Sequence, residues 1–149
     1  MPTRKLSMVT NAVLSVTLSA AALLASSLAL AADLKITVTD LRSEKGAVGF
    51  SVVNSAAAWN GKAAAVERKM VPVTGAEVTL QLTDLPAGEY AISVMHDENG
   101  NGELDANFMG MPTEGYGFSN NPNVLRKPTY DEARFELSAE GGAITIRLR

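Results

Sequence analysis

Short segments of alternating apolar and polar residues constrain the fold of this chain more than any other feature. The alternation is clear in residues 34–39, 47–53, 77–82 and 144–148. Successive side chains of a strand point to opposite faces, so each segment predicts a strand with one buried and one exposed face. No long helical pattern accompanies these segments in the part of the chain after the N-terminus, and the chain therefore belongs to the all-β class.

Three further strands are expected between or beside these segments. Pro72 places residues 70–73 at a sheet edge, because proline cannot donate a hydrogen bond to a neighbouring strand. Residues 90–95 are apolar on both faces, which is typical of a central strand that is covered on both sides. Residues 133–137 alternate again. Seven or so short strands predict an antiparallel β-sandwich of immunoglobulin or transthyretin type.

The remaining segments are expected to be connections. Residues 41–46 predict a hairpin-like turn, and residues 84–89 predict a turn in which proline and glycine set the backbone. Residues 54–68 predict a loop with one helical turn. Residues 107–111 predict a short strand. Residues 115–128 predict a long irregular loop, of a length that in compact domains often carries function.

The N-terminus has the layout of a secretory signal peptide. Arg4 and Lys5 precede an apolar run at residues 8–30, which closes on an A-x-A site. An uncleaved membrane anchor is the alternative, but Ser and Thr residues interrupt the run, and a spanning helix needs about 20 predominantly apolar residues. We therefore expect residues 1–31 to be removed. Residues 32–149 then form one periplasmic or secreted domain, with no membrane span after cleavage.

The composition of the predicted mature chain narrows its functions. Cleavage leaves 118 of the 149 residues, with 11 of the 13 basic residues against all 16 acidic ones, and a net charge of −5. An acidic domain without a basic stripe is a poor nucleic-acid binder. The chain has no Cys, which excludes a lipidated N-terminus, thiol catalysis, iron–sulfur clusters and Cys-type zinc sites.

One loop, HDENGNGELD at residues 96–105, carries a cation-binding pattern. A loop that curls around Ca²⁺ supplies oxygen ligands from alternate positions, with Gly at position 6 for the sharp turn. Gly102 occupies that position, and the front half of the EF-hand pattern is complete. The candidate Ca²⁺ ligands in this loop are Asp97, Asn99, Asn101, Glu103 through its backbone carbonyl, and Asp105.

The back half of the EF-hand pattern is missing. Phe108 occupies the position of the bidentate Glu, and no helices flank the loop, so the loop is not an EF-hand. We expect Glu114 to supply the missing carboxylate. With Asn at two ligand positions, the affinity for Ca²⁺ is expected to be weak, at about 10⁻⁴–10⁻³ M. The alternative is a metal-free turn, because tight turns also select Asn and Gly.

The long loop that follows contains Tyr116, Phe118 and Asn120. Rings beside amides can stack on and hydrogen-bond a sugar or a peptide, so these residues and the only histidine, His96, form the candidate ligand-binding set. The alternative, which we favour for the rings, is that they attach the loop to the sandwich, and the same applies to the ring of Trp59. A packing or capping role is also the simpler interpretation of His96, because the chain has no second His to help it hold a transition metal.

The stretch LPAGEYAISVMHDENGNGELDANFMGMPTEGYGFSNN, residues 85–121, resembles the uncharacterised bacterial domain-of-unknown-function family numbered 2141. The similarity extends over about residues 33–149 and is densest in this stretch. The resemblance implies an exported β-sandwich in which the 96–105 loop lies beside the 114–121 loop. It implies no catalytic residues, because the family has none assigned.

Three classes of function compete. The first is an exported, non-enzymatic module that binds Ca²⁺ and an unknown envelope ligand or protein partner. The second is a small carboxylate-dependent hydrolase. A Ser–His–Asp site would depend on His96, and no G-x-S-x-G elbow is present to offer a serine, while paired carboxylates need a deep cleft. The third is a structural envelope protein without metal. We adopt the first.

Overall fold

The computed structural model describes residues 31–149, so residues 1–30 of the predicted signal peptide lie outside the described residues. Within the described range no helix has the length and apolar character needed to cross a bilayer. The range contains eight strands and two short helices: β1 (Ala31–Thr39), β2 (Ala47–Val53), α1 (Ala56–Trp59), β3 (Glu67–Pro72), β4 (Val78–Pro86), β5 (Gly88–Asp97), β6 (Gly115–Phe118), α2 (Tyr130–Ala133), β7 (Phe135–Leu137) and β8 (Gly142–Arg147).

Two sheets face each other and form a β-sandwich. The smaller sheet has the order β4-β1-β8, in which β1 runs antiparallel to β4 and parallel to β8. The larger sheet has the order β3-β2-β5-β6, with antiparallel neighbours, and β7 pairs with the first residues of β5. The all-β prediction is confirmed, and β3 lies at a sheet edge as Pro72 indicated.

The core lies between the sheets and consists of residues that the alternation assigned to inner faces. Ile36, Val48, Val52 and Ile146 are fully buried there, together with Ile92 of β5, for which the two-sided apolar pattern had assigned no inner face. Burial of an aliphatic side chain of this size stabilises the fold by roughly 1.5–3 kcal/mol. Because side chains alternate along a strand, the intervening residues of β2 and β5 face away from this core.

A second apolar cluster covers one end of the larger sheet on its outer face. The rings of Trp59 in α1 and Phe118 in β6 pack edge to face, with centroids 5.9 Å apart, and share this cluster with Ala91 of β5. Trp59 Nε1 also donates a hydrogen bond of 2.8 Å to the carbonyl of Pro128. At this end β5 is covered on both faces, as predicted for residues 90–95, whereas the outer-facing Ser93 and Met95 are only partly buried.

The prediction of a loop was wrong for residues 115–118, which form β6 against β5. Glycine-rich sequence has a low strand propensity, and the Gly-Tyr-Gly-Phe run therefore indicated a loop. Here glycine allows close approach: a Cβ on Gly117 would lie 2.8 Å from the carbonyl oxygen of Arg147. Tertiary packing against β8 thus explains glycine at this position of the strand.

Other connections also differ from the predictions. Residues 107–111 form a tight turn instead of a strand, with an isolated bridge between Ala106 and Pro112. Residues 41–46 cross from the smaller sheet to the larger one instead of closing a hairpin. Strand β4 extends to Pro86, well into the segment predicted as a turn. The helical turn expected within residues 54–68 is present as α1.

Candidate functional site

The cation loop, residues 97–105, begins at the last residue of β5. Asp97 is buried, with 2% of its surface exposed. Its carboxylate accepts three backbone N–H groups, from Gly100 at 2.8 Å, Asn101 at 3.1 Å and Gly102 at 2.8 Å. Both glycines have positive φ angles, 78° and 79°, which glycine adopts without strain. One carboxylate therefore organises the turn.

The other predicted side-chain ligands contact one another. Asn99 Oδ1 accepts the N–H of Asn101 at 2.9 Å, and Asn101 Oδ1 accepts the N–H of Glu103 at 2.9 Å. The side-chain amides of both Asn residues donate to the carboxylate of Asp105, at 2.5 and 3.0 Å. Asn99, Asn101 and Asp105 are thus brought together, whereas the side chain of Glu103 is exposed.

Glu114, the residue expected to close the loop, lies at its base. Only 6% of its surface is exposed. Glu114 Oε1 accepts the N–H of Glu98 at 2.9 Å, and Oε2 accepts the N–H of Asp105 at 3.0 Å. One buried carboxylate therefore joins the first and last turns of the cation loop to the segment that leads into β6.

The charges around the cation loop are unbalanced. Residues 96–115 contain five acidic side chains and neither Lys nor Arg. Within residues 31–149, no ion pair joins a cationic side chain to a carboxylate of this segment. A buried carboxylate without a cationic partner is costly unless hydrogen bonds or a metal compensate for lost solvation.

The described part of the chain contains no group of three or more His, Cys, Asp or Glu side chains arranged to hold a metal ion. The oxygens of the cation loop are of mixed type: carboxylates at Asp97 and Asp105, amides at Asn99 and Asn101, and backbone carbonyls. Asp97 Oδ1 accepts two N–H groups, whereas Asp97 Oδ2 and the side-chain oxygens of Asn99, Asn101 and Asp105 each accept one and keep a second lone pair. Such an oxygen set suits a hard cation such as Ca²⁺ better than a transition metal.

His96 lies in the core and has no exposed surface. Its neighbours at even positions of β5, Ile92 and Val94, face the same core. Nε2 lies 2.8 Å from the carbonyl oxygen of Lys45, so Nε2 carries the proton and donates it. Nδ1 has no hydrogen-bond partner among the described residues. The prediction that His96 contacts a ligand is corrected, because the side chain packs inside and ties the crossing segment to β5.

The residues of the predicted aromatic loop have two roles. Tyr116 is half-buried and packs edge to face on Phe118, with ring centroids 5.9 Å apart, and both line a surface groove. Asn120 has a φ of 63°, and its amide donates to the carbonyl of Arg134 at 2.6 Å. The exposed side chain of Asn120 thus joins the turn after β6 to the segment after α2, and its predicted ligand contact stays a prediction.

A groove of about 760 Å³ lies on the outer face of the larger sheet. We call it the ligand groove, and the strand register arranges its floor in two rows. The first row contains Arg68, Ser51, Ser93 and Phe118, on β3, β2, β5 and β6. The second row contains Met70, Gly49, Met95 and Tyr116 on the same strands. The rows lie about 7 Å apart, because each strand advances about 3.4 Å per residue.

Two loops complete the ligand groove. Leu104 of the cation loop and Met111 beyond it contribute apolar side chains, and Leu125, Arg126 and Lys127 contribute from the segment before α2. Four of the 11 basic residues of the predicted mature chain line the groove, and no acidic residue does. The ligand groove is therefore positive in an otherwise acidic domain.

The ligand groove was not predicted from the sequence. Its side chains come from segments far apart in the chain, and only the strand register brings them together. One signal was available: the outer-facing positions of the two central strands hold Gly49, Ser51 and Ser93. Small residues at such positions leave room above the sheet, although at Gly49 the side chains of Met70 and Met95 occupy it.

Comparison with known protein families matches residues 36–145 to the family described as "Uncharacterized protein conserved in bacteria (DUF2141)". No curated protein and no solved structure gives a significant match. The matched range includes the cation loop and nearly all of the sandwich, and the family description assigns no activity.

Proposed function

The chain belongs to the DUF2141 family, and we propose that this member is an exported, non-enzymatic binding module whose cation loop holds one Ca²⁺. Side-chain oxygens of Asp97, Asn99, Asn101 and Asp105 bind the ion, together with the backbone carbonyl of Glu103. Glu114 closes the site from the segment that leads into β6. The bound ion orders the loop and supports the ligand groove beside it.

Two buried carboxylates carry this proposal. Within the described residues, Asp97 and Glu114 have backbone N–H groups as their hydrogen-bond partners and no cationic side chain. Buried carboxylates are ordinarily paired with a cation or coordinate a metal. A divalent cation supplies the missing positive charge, and the mixture of carboxylate, amide and carbonyl oxygens suits Ca²⁺.

The connection between the cation loop and the ligand groove supports a binding role. Leu104 is part of the cation loop and lines the groove, and Met111 lines it seven residues later. The N–H of Thr113 donates to the carbonyl of Asp105 at 2.8 Å, which holds the two segments together. An ion that rigidifies the cation loop therefore also fixes one wall of the ligand groove.

The placement of titratable groups favours a binding module over the hydrolase alternative. The ligand groove is lined by no Asp, Glu or His within the described residues. His96 is fully buried, and the carboxylates of Asp97 and Glu114 face backbone N–H groups. A carboxylate-dependent hydrolase needs an Asp or Glu side chain within hydrogen-bond reach of the bound substrate, and the titratable side chains that line the groove are instead Lys69, Lys127 and Tyr116.

Export is proposed from the N-terminal pattern of residues 1–31. Cleavage after Ala31 leaves Ala32 at the start of β1, where it is buried and pairs with Leu85 of β4. The sandwich therefore keeps this strand in the mature protein. N-terminal sequencing of protein from the periplasm or the medium is expected to begin at Ala32, and a chain that retains residues 1–31 contradicts export by cleavage.

Calorimetric titration of Ca²⁺ into protein purified from expression of the full-length chain tests the metal. We expect one site per chain with a dissociation constant of about 10⁻⁴–10⁻³ M. Asp105→Asn removes a ligand charge and weakens binding, whereas Glu103→Gln removes an exposed carboxylate and preserves the backbone carbonyl, so its affinity stays unchanged. Equal affinities for these two variants, or no binding by the parent protein, contradict the proposal.

A further inference from the structure

The ligand groove changes in polarity along the strands of its floor. Its Arg68–Ser51–Ser93 row borders a polar recess of about 460 Å³ beside α1, which Trp59 and Asn60 also line. The recess and the groove share Ser51, Arg68, Ser93 and Lys127. The other row leads toward the cation loop and is apolar. One continuous depression therefore has a polar, cationic end and an apolar end.

The cationic end has positive charge available for a ligand. No carboxylate in the described range lies within ion-pair distance of Arg68 or Lys69. Lys127 is held in place, because Nζ donates to the carbonyl of Trp59 at 2.8 Å and lies 4.8 Å from the centroid of the Trp59 ring. Arg126 pairs with Glu132 at 2.8 Å. An anionic group placed between Arg68 and Lys127 meets two cations, the first of them free of any carboxylate partner.

The apolar end exposes large side chains that a folded domain ordinarily covers. Met70 is 46% exposed, Met111 is 56% exposed and Leu125 is fully exposed, and all three line the groove. Met95 completes the apolar row beside Gly49. Methionine side chains are flexible and polarizable, and they adapt to apolar ligands of irregular shape. This end therefore suits an alkyl chain.

We propose that the ligand groove binds a free single-chain amphiphile with an anionic head group. The head group lies between Arg68 and Lys127, and its alkyl chain lies on the side chains of Met70 and Met95, which cover Gly49, and runs toward the cation loop. The guanidinium fork of Arg68 matches a carboxylate or a phosphate in geometry. This inference rests on the binding module proposed above, for which it names the class of ligand.

Decanoate is the probe, at concentrations at which its calcium salt stays dissolved. Trp59 is the only tryptophan of the chain and lines the cationic recess, so its fluorescence reports binding beside calorimetry. We expect saturable binding of one decanoate per chain. Decyltrimethylammonium has a similar alkyl chain and the opposite charge, and it is expected to bind at least about tenfold more weakly, since a hydrogen bond to a charged group changes affinity by that order.

Two substitutions test the contact with the head group and the contact with the alkyl chain independently. Arg68→Gln is expected to weaken decanoate binding by about tenfold, whereas the matched control Arg147→Gln, on β8 of the other sheet, leaves it unchanged. Gly49→Leu displaces the side chains of Met70 and Met95 into the groove and is expected to abolish binding. A Cβ at Gly49 meets only side-chain atoms of Met70 and Met95, the nearest at 2.9 Å, and these flexible side chains can move, so the variant folds and circular dichroism confirms this.

The outcomes separate this inference from the Ca²⁺ proposal. Decanoate binding that Arg68→Gln weakens supports the inference, even if Ca²⁺ neither binds nor raises stability. A protein that binds Ca²⁺ but not decanoate keeps the cation loop and overturns the inference. Equal affinity for both amphiphiles overturns it as well, because the surface is then indifferent to charge. Sedimentation with anionic vesicles in the absence of decanoate binding indicates a membrane surface as the partner and also overturns it.

Discussion

The cation loop and the ligand groove lie side by side and are built in opposite ways. The cation loop is a single run of nine residues whose polar groups are nearly all used by one another: Asp97 alone accepts three backbone N–H groups. The ligand groove takes its side chains from β2, β3, β5, β6 and two loops, and within the described residues Arg68 and Lys69 pair with no carboxylate. The conformation of the loop is set by local hydrogen bonds, whereas the shape of the groove is set by the register of the sheet beneath it.

This difference predicts where the fold tolerates change. In the cation loop, a substitution removes hydrogen bonds that nothing else replaces, so its cost falls on stability. In the ligand groove, the exposed side chains contribute little to folding, so a substitution changes ligand binding and spares stability. The first region is therefore a structural element that contains the proposed cation site, and the second is a surface of the sheet that contains the proposed ligand site.

Two glycines three residues apart give the sharpest contrast. Gly46 has a φ of 70°, and a Cβ there would lie 2.0 Å from the carbonyl oxygen of Asp97, which cannot move without displacing the cation loop. Gly46→Ala is expected to lower the free energy of unfolding by about 3 kcal/mol. Gly49→Ala faces only flexible methionine side chains and is expected to change it by less than about 1 kcal/mol. Urea denaturation of both variants measures these changes in the free energy of unfolding. Equal losses would contradict the difference between the cation loop and the ligand groove.

Glu114 provides the next largest effect. Glu114→Gln leaves one of the two N–H groups, of Glu98 or Asp105, facing an amide N–H₂ in a buried site. We expect a loss of about 2 kcal/mol, since a buried donor without an acceptor costs roughly 1–3 kcal/mol. The exposed Glu103→Gln is the control in the same segment and is expected to stay within about 0.5 kcal/mol of the parent protein. Comparable losses in the two variants would show that Glu114 does not hold the base of the loop.

Glu132, which pairs with the groove residue Arg126, gives the stability of the fold a small dependence on pH. Arg126 and the backbone of Thr129 hold the pKa of Glu132 at about 2, below its usual 4.5, and Glu132 closes the capping box of α2. Because the folded-state pKa is depressed, the stabilisation is present above about pH 4.5 and is lost as the pH falls toward 2. The urea midpoints of the parent protein and Glu132→Gln should differ at pH 6 and converge near pH 2. Glu140→Gln is the control, and a difference independent of pH would contradict the assignment.

The sequence predicted the turn at residues 97–105 well because its information is local, while the cation at this turn stays a prediction. Asp97, Asn99, Asn101 and Gly102 are near neighbours whose types and spacing specify the turn, and the structure brings Glu114 to the base of that turn. The alternating segments likewise predicted the sandwich and its core. In these cases each residue's environment follows from its own few neighbours and from the period of a strand.

The ligand groove and the position of His96 could not be predicted in the same way. The groove depends on which strands are neighbours and in what register, and that information is long-range. For His96, the alternation that would reveal an inward side chain is hidden, because β5 is apolar on both faces. Residues 115–118 were misassigned because the packing of Gly117 against Arg147 overrides the low strand propensity of glycine.

Thermal unfolding in EDTA and in millimolar Ca²⁺, for the parent protein and Asp97→Asn, tests the central claim most directly. A ligand that binds only the folded protein raises its melting temperature. We expect Ca²⁺ to raise the melting temperature of the parent protein and to leave that of Asp97→Asn unchanged. The variant is compared with itself in EDTA, so a lower stability in EDTA does not affect this test. No Ca²⁺-dependent rise in the parent protein, or the same rise in both proteins, would contradict a cation site at this loop.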